Sequence, residues 1–265
     1  MKKYLVIGNP IEHSLSPKLH NYWMKENNIN AVYEKKLLNE NDIESVIIKI
    51  KSGEIHGINV TVPFKNKIVS FVDNLTQEAI ETNSVNTIYF ENGKIFGHNT
   101  DIAGFELGIR FYGYNIDRKN VFIFGAGGVA PSIIFALKKM GALNIYIYNR
   151  TLSNAEKLKN RFNFIKIIEK NQIPDDIDMI INASSLGINK DDKIDLNYEK
   201  IGPNKFYYDI IYNPTQTDFL KKAKKFGNKT ENGKMMFIYQ AHQAFSLWHK
   251  VFPKIDEKVI ELLDT

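Results

Sequence analysis

A lysine and an aspartate, each next to a strand-like run, are the side chains that the sequence places best for moving a proton. Lys65 follows GINVTVPF, in which Asn59 and Thr61 alternate with Val60 and Val62, so a strand over 58–62 carries its polar pair on one face. Pro63 then stops the ladder, and α/β sheets put ligand-binding groups just past strand ends. Parallel strands are usually apolar on both faces, so this polar pair points to a cleft. Asp101, in GHNTDIAG, falls in the first turn of a helix. A carboxylate there also has a plain structural use, because it faces the positive end of the helix dipole. Ser14 and Ser16 flank Leu15 ahead of another helix, and their hydroxyls and nearby amides suit a carboxylate. In the competing reading Ser16 is the N-cap with Pro17 in the first turn, and Ser14 has no capping role of its own.

A second chemistry lies downstream. Gly125-Ala126-Gly127-Gly128-Val129-Ala130 directly follows the apolar VFIF and opens a helix, which is the context that a G-x-G-x-x-A phosphate loop needs. Gly125 permits the tight turn, Gly127 lets the backbone approach a pyrophosphate, and Ala130 allows close helix packing. The next strand ends in Tyr148-Asn149-Arg150-Thr151, where an NAD enzyme would usually carry an acidic residue. An arginine at that point can meet the 2′-phosphate of NADP; in the competing reading Arg150 is a solvated surface side chain.

The elements that must position these groups alternate from the start. Tyr4–Ile7, Ala31–Leu37 and Ile58–Val62 read as strands, with helices from Ser16 and over Asp42–Lys51 between them, an α/β signature. Glu91-Asn92-Gly93-Lys94 is a hairpin turn between Asn86–Phe90 and Ile95–His98. Ile102, Phe105, Ile109 and Tyr112 fall at helical spacing, so a helix crosses from one unit to the next. From Val121 the series is strand, glycine turn, helix to about Met140, strand Asn144–Tyr148, helix from Ser153, and strands near Ile177–Ile181 and Phe206–Ile210, a Rossmann-like order. The tail reads as two helices, Met235–His249 and Asp256–Leu263, packing back on the first unit.

Composition narrows the function classes. A chain of 265 residues, 43% hydrophobic and 25% charged, fits one large domain or two ordinary ones. With no cysteine there is no disulfide, thiolate metal site or thiol nucleophile, which fits a cytoplasmic location. The net charge of +5 is scattered rather than gathered into a basic stripe, so the sequence implies no nucleic-acid partner; the balance suits a small anionic substrate. Val121–Leu137 is uncharged but broken by GAGG, so no membrane span is expected. The six histidines show no metal-ligand spacing, and no metal is expected.

Taken together these residues resemble the shikimate dehydrogenase family over essentially the whole chain. GNPIEHSLSPKLHN (Gly8–Asn21) is similar to its opening substrate motif and NVTVPFK (Asn59–Lys65) to its catalytic-lysine motif. VNT (Val85–Thr87) and GHNTD (Gly97–Asp101) resemble the next blocks, while the glycine loop, Asn149-Arg150-Thr151, INASSLG (Ile181–Gly187), YNPTQT (Tyr212–Thr217) and NGKMMFIYQA (Asn232–Ala241) follow in family order. The resemblance implies that Ser14, Ser16, Asn59, Thr61, Asn86, Asp101, Tyr212 and Gln240 surround shikimate. It implies Lys65 and Asp101 as the catalytic pair, and the glycine loop, Asn149, Arg150, Thr151 and Gly233 around NADP. It also implies a substrate domain of residues 1–100 plus 234–265, a Rossmann NADP domain of 101–233, a cleft between them that can close, and a monomer or homodimer. Two departures stand out: Asn83-Ser84 replaces Gly-Ala before VNT, tolerable in a left-handed turn, and Asn154 replaces a second basic residue after Arg150. The implied reaction is reversible reduction of 3-dehydroshikimate by NADPH, on the route to chorismate and the aromatic amino acids. The alternatives are a quinate/shikimate dehydrogenase using NAD, which Arg150 and Ser16 oppose, and a non-catalytic dinucleotide sensor, which has no use for Lys65 and Asp101.

Overall fold

The computed structural model describes residues 1–264, which divide into two units, Met1–Gly104 with the chain from Ile238 onward, and Phe105–Phe237. In the first unit the elements run β1 (Lys2–Gly8), α1 (Ser16–Glu26), β2 (Ala31–Leu37), α2 (Ile43–Lys51), β3 (Gly57–Val60), β4 (Asn74–Leu75), α3 (Gln77–Thr82), β5 (Thr87–Glu91) and β6 (Lys94–His98). Helix α4 (Asp101–Phe111) starts here and continues into the second unit. The strands form a mixed sheet in the order β2-β1-β3-β5-β6-β4. Strand β1 runs parallel to β2 and β3, whereas β3, β5 and β6 pair antiparallel. Asn92 and Gly93 both take positive φ (50° and 78°), which gives the β5–β6 turn the twist of its strands. Helix α2 buries Ile43, Val46, Ile47 and Ile50, spaced three and four apart, against Ile7, Ile58, Ile88 and Ile95 of the sheet. Asn83 ends α3 in the left-handed region (φ 49°, ψ 43°).

Two local expectations are corrected. Strand β3 stops at Val60 rather than Val62. Thr61 still donates its N–H to the Ile7 carbonyl (2.9 Å), but the Phe64 N–H bonds back to the Thr61 carbonyl (3.0 Å), so the chain has already turned. Ser16 is the first residue of α1 and not its N-cap, because the Leu15 carbonyl accepts the Leu19 N–H (3.2 Å) and Leu15 takes the cap position. Ser14 does support this end, its Oγ accepting the Ser16 N–H at 3.3 Å.

The second unit contains β7 (Asn120–Phe124), α5 (Ala130–Lys139), β8 (Asn144–Tyr148), α6 (Leu152–Arg161), β9 (Lys166–Ile167), β10 (Met179–Asn182), α7 (Tyr198–Ile201), β11 (Phe206–Asp209), α8 (Asp218–Lys225) and β12 (Lys229–Glu231). Its sheet is parallel throughout, in the order β12-β11-β10-β7-β8-β9. Connections therefore turn one way from β7 to β9 and the other way from β10 to β12. The switch point between β7 and β10 is where such a sheet leaves a crevice for a ligand.

Helices α9 (Lys234–His249) and α10 (Glu257–Glu261) close the chain, and from Ile238 α9 belongs to the first unit. Trp248 donates its indole N–H to the Ile88 carbonyl (3.2 Å), and Trp23 donates to the Lys254 carbonyl (3.0 Å). A Cβ on Gly57 would lie 2.5 Å from the Trp248 indole nitrogen, so glycine is what admits the helix to the sheet. Among the described residues no helix is long and apolar enough to cross a membrane.

Candidate active site

Asp101 opens α4, and its N–H is held by the Asn99 side-chain oxygen (3.1 Å). Its carboxylate is shared: Oδ2 takes Lys65 Nζ at 2.6 Å and Oδ1 takes Asn86 Nδ2 at 2.8 Å. The side chains of Lys65 and Asp101 are only 11% and 7% exposed, so the pair is poorly screened by water. At that burial, removing either partner strands a charge. The backbone explains the meeting. Asn86 lies between β3 and β6, its carbonyl accepting the Val60 N–H (2.8 Å) and its N–H donating to the His98 carbonyl (3.0 Å), which brings its side chain to the start of α4.

Behind the pair is a buried polar network. Asn86 Oδ1 accepts the Thr100 N–H (2.7 Å), and its Nδ2 also donates to Thr100 Oγ1 (2.9 Å). Thr87 Oγ1 bonds Asn86 Oδ1 (3.1 Å) and receives Asn59 Nδ2 (3.0 Å). Asn59 Oδ1 in turn takes the Tyr33 hydroxyl (2.6 Å). Asn59 is 6% exposed, and its Nδ2 also donates to the Asn86 carbonyl (3.1 Å), so it braces Asn86. Tyr33, Thr87, Asn99 and Thr100 carry this network and were not singled out from sequence. The motifs VNT and GHNTD contain Thr87, Asn99 and Thr100, so polar residues at the start of β5 and just past the end of β6 are the available signal. Nothing local marks Tyr33.

Ser14, Ser16 and Thr61 stand where the parallel neighbours β1 and β3 end. Thr61 packs on Gly8, where a Cβ would come within 2.4 Å of Thr61 Cγ2, and the loop after Gly8 carries Ser14 and leads to Ser16 at the start of α1. The Ser14 hydroxyl accepts from the Ser16 amide, a bond that leaves its own hydrogen unused. Gln240 is half-buried on α9 in the first unit, whereas Tyr212 belongs to the second, stacked on Phe237 with centroids 4.3 Å apart.

In the second unit the glycine loop is shaped by backbone exclusion. Gly125 has φ +110°, and a Cβ there would lie 2.9 Å from the Ala183 and Ser184 backbone at the end of β10. A Cβ on Gly127 would meet only the Ala183 oxygen, at an ordinary 3.6 Å, so that side of the loop is open. Gly128 and Val129 lead into α5, whose first residue, Ala130, is fully buried. Asn149 pins the loop, accepting the Ala126 N–H (2.9 Å) and donating to the Thr151 carbonyl (2.8 Å). Arg150 is exposed beside the start of α6, where Thr151 makes no side-chain cap. An open glycine turn, uncapped helix amides and an exposed guanidinium fit a dinucleotide carrying an additional phosphate. Gly233 has a local reason to be glycine, since a Cβ would fall 2.0 Å from the Ile210 oxygen.

Comparison with known proteins agrees with this geometry. Residues 6–88 match the shikimate dehydrogenase substrate binding domain and residues 107–210 match the shikimate/quinate 5-dehydrogenase family. The shikimate dehydrogenase (NADP(+)) of Pelagibacter ubique is 54% identical over 99% of both chains. A crystal structure of a shikimate dehydrogenase in complex with NADP+ superposes with a TM-score of 0.94 at 36% identity, covering 100% of this chain and 95% of the other. The Thermus thermophilus shikimate 5-dehydrogenase bound to NADP(H) and shikimate gives 0.90 at 26% identity, covering 100% and 99%. With both units matched and the relatives alike from end to end, the chain belongs to the shikimate dehydrogenase family.

Proposed function

We propose that this protein is an NADP-dependent shikimate dehydrogenase, reversibly reducing 3-dehydroshikimate to shikimate on the route to chorismate. Its first unit would hold the substrate and its second unit the dinucleotide. The observation that carries the reading is the buried Lys65–Asp101 pair at 2.6 Å, braced by Asn86. When bound, NADPH supplies the hydride, and the protein must orient the ring and deliver one proton.

Ser14 and Ser16 would receive the substrate carboxylate, while Asn59, Thr61, Asn86, Asp101, Tyr212 and Gln240 would surround the ring. Fixing the ring in this way lowers the barrier through orientation. The Lys65 ammonium would give a proton from Nζ to the oxygen that becomes negative during reduction, and would recover one from solvent. Asp101 would stay a carboxylate, holding Lys65 on one oxygen and Asn86 on the other and accepting from a ring hydroxyl. Gly125–Ala130, Asn149, Arg150, Thr151 and Gly233 would hold NADP, with Arg150 on the 2′-phosphate. No acidic residue stands from Tyr148 to Asn154 to favour an unphosphorylated ribose, which supports NADP over NAD.

Initial rates with shikimate and quinate, each with NADP and NAD, test this reading. Turnover should be fastest for shikimate with NADP. Equal use of NAD would remove the cofactor assignment, and faster quinate oxidation would remove the substrate assignment.

A further inference from the structure

Asp209 ends β11 with no exposed surface, outside every group assigned to ligands above. Its Oδ1 accepts the Ile211 N–H (3.1 Å) and Asn182 Nδ2 (3.0 Å), and its Oδ2 accepts the Thr217 hydroxyl (2.6 Å). Asn182, which ends the neighbouring β10, also donates to the Leu186 carbonyl (2.9 Å), while its Oδ1 takes the Ser184 N–H (3.0 Å) and hydroxyl (2.7 Å). One carboxylate therefore ties the loop after β10 to the loop after β11.

We infer that Asp209 is a positioning residue, which must be ionised for these two loops to hold the shape that binds the dinucleotide. The inference rests on the reading of the second unit as the NADP site. The loop after β10 backs the glycine turn, because Ala183 and Ser184 are the atoms a Cβ on Gly125 would strike. The loop after β11 carries Ile210, packed on Gly233, then Tyr212, and ends at Thr217. Gly187, at φ +117°, lets the first loop close on the second, since its Cβ would lie 3.1 Å from Thr217 Cγ2. Asp209 bonds the loop after β11 directly and reaches the loop after β10, and through it the glycine turn, by way of Asn182.

The charge state decides how the donors point. All three partners donate to the carboxylate, and a protonated acid or an amide would have to donate toward Thr217 and reverse that bond. Among the described residues no cation pairs with Asp209 to keep it ionised. Burial pushes its carboxyl up to about 7, with the bonds from Thr217, Ile211 and Asn182 pulling the other way. Other ionisable groups facing this region cannot substitute. Tyr198 of α7 and Tyr208 of β11 are themselves raised by burial, Asp218 of α8 pairs with Lys222 at 2.8 Å, β12 offers Lys229 and Glu231, and Asp192 in the loop after β10 is held below its ordinary value by the Asn189 and Gly187 N–H groups. All six histidines, at 13, 20, 56, 98, 242 and 249, lie in the first unit. With its carboxyl raised in this way, the ionised form of Asp209 gains as pH rises through the neutral range.

The test is calorimetric titration of the full chain with NADP+ from about pH 5.5 to about pH 8.5, a window that brackets the expected ionisation. Wild type is compared with Asp209→Asn, Thr217→Val and Thr217→Ser. Taking the ratio of variant to wild-type Kd cancels the ionisation of the ligand phosphate. Asp209→Asn should bind about tenfold more weakly at the alkaline end, the scale of one hydrogen bond to a charged group, and the ratio should approach one at the acid end. Its thermal stability at the alkaline end should match or exceed wild type, because no charge is buried. Thr217→Val should reproduce the alkaline loss, and Thr217→Ser, which keeps the hydroxyl, should reverse it. A ratio near one throughout, or one that does not change with pH, would overturn the inference. If Asp209→Asn does not fold, the Thr217 pair decides by the same criterion. Failure of wild type to bind NADP+ at any pH would instead remove the cofactor reading on which the inference depends.

Discussion

The two regions proposed to meet ligands are prepared in opposite ways. Around Lys65 and Asp101 the first unit invests side chains: Asn86, Thr87, Asn99, Thr100, Asn59 and Tyr33 hold one ion pair through direct and relayed hydrogen bonds. Around the glycine loop the second unit withholds them, so that Gly125 and Gly233 bring backbone where no Cβ fits and Gly127 leaves space. On the proposed function, the difference follows from what each must do. A proton donor needs one fixed orientation, which a satisfied buried network supplies. A phosphate-binding turn needs free amides and close approach, which side chains would block.

The largest effect that would break this contrast comes from the first region. Lys65→Ala should lower kcat roughly a hundredfold or more with little change in substrate KM, since acid–base assistance is typically worth about 10²–10⁴. A steady-state assay with near-normal kcat would mean that the network orients something other than the proton donor. In the second region, Gly125→Ala should lower NADP affinity more than shikimate affinity and destabilise the second unit. A positive φ forced on a residue with a Cβ costs about 1–3 kcal/mol, and the contact with Ala183 adds to it. Thermal denaturation with unchanged Tm would contradict the exclusion argument.

Arg150→Ala isolates charge from shape. It should raise the NADP KM by about tenfold, the loss of a charge-assisted contact, and leave NAD use nearly unchanged. An equal loss for both dinucleotides would place Arg150 in the loop's architecture. Ser14→Ala should have the smallest effect, a severalfold weaker shikimate titration with NADP affinity intact. Its hydroxyl has one structural bond to lose, to the Ser16 N–H, so a fall in stability with unchanged shikimate binding would make that bond its whole role.

Acidity sharpens the same comparison. His20 is fully buried in the first unit, stacked on Tyr33 (4.2 Å), and burial lowers its pKa to about 3, with His249 adding repulsion. The unfolded chain binds this proton near the ordinary histidine value and the folded chain does not, so the first unit should lose stability as pH falls from about 6.5 toward 3. Asp209 works in the other direction. With its folded value raised to about 7 from an ordinary 3.8, the second unit should lose stability as pH rises through that interval. Hydrogen exchange resolved by unit, after correction for intrinsic rates, should show the two trends crossing.

What the sequence revealed follows the range of the forces involved. Strands β2 and β8 and the β5–β6 turn are marked by local residue type, and their bounds follow from it. Short pieces such as β4, β9 and β12, of two or three residues, have too few side chains to show a period. Helices α3 and α8 were missed although Thr76 and Thr217 cap them, a signal present in the sequence. At the site, Lys65 and Asp101 were visible as residue types past element ends. The partners of Asn59 were not, because Tyr33 lies 26 positions away and reaches it only after the sheet has formed. Asp209 was overlooked for a related reason: a single acid ending an apolar strand gains meaning only when Asn182 and Thr217 converge on it.

The central claim is that Lys65 and Asp101 act as one proton-transfer unit, and a double-mutant cycle on kcat tests it most directly. Lys65→Ala, Asp101→Ala and the double variant are assayed with shikimate and NADP+ at saturation, alongside wild type. The 2.6 Å pair predicts that the double variant is little slower than the slower single one, because either loss already removes the unit. Losses that multiply would show independent roles and contradict the account.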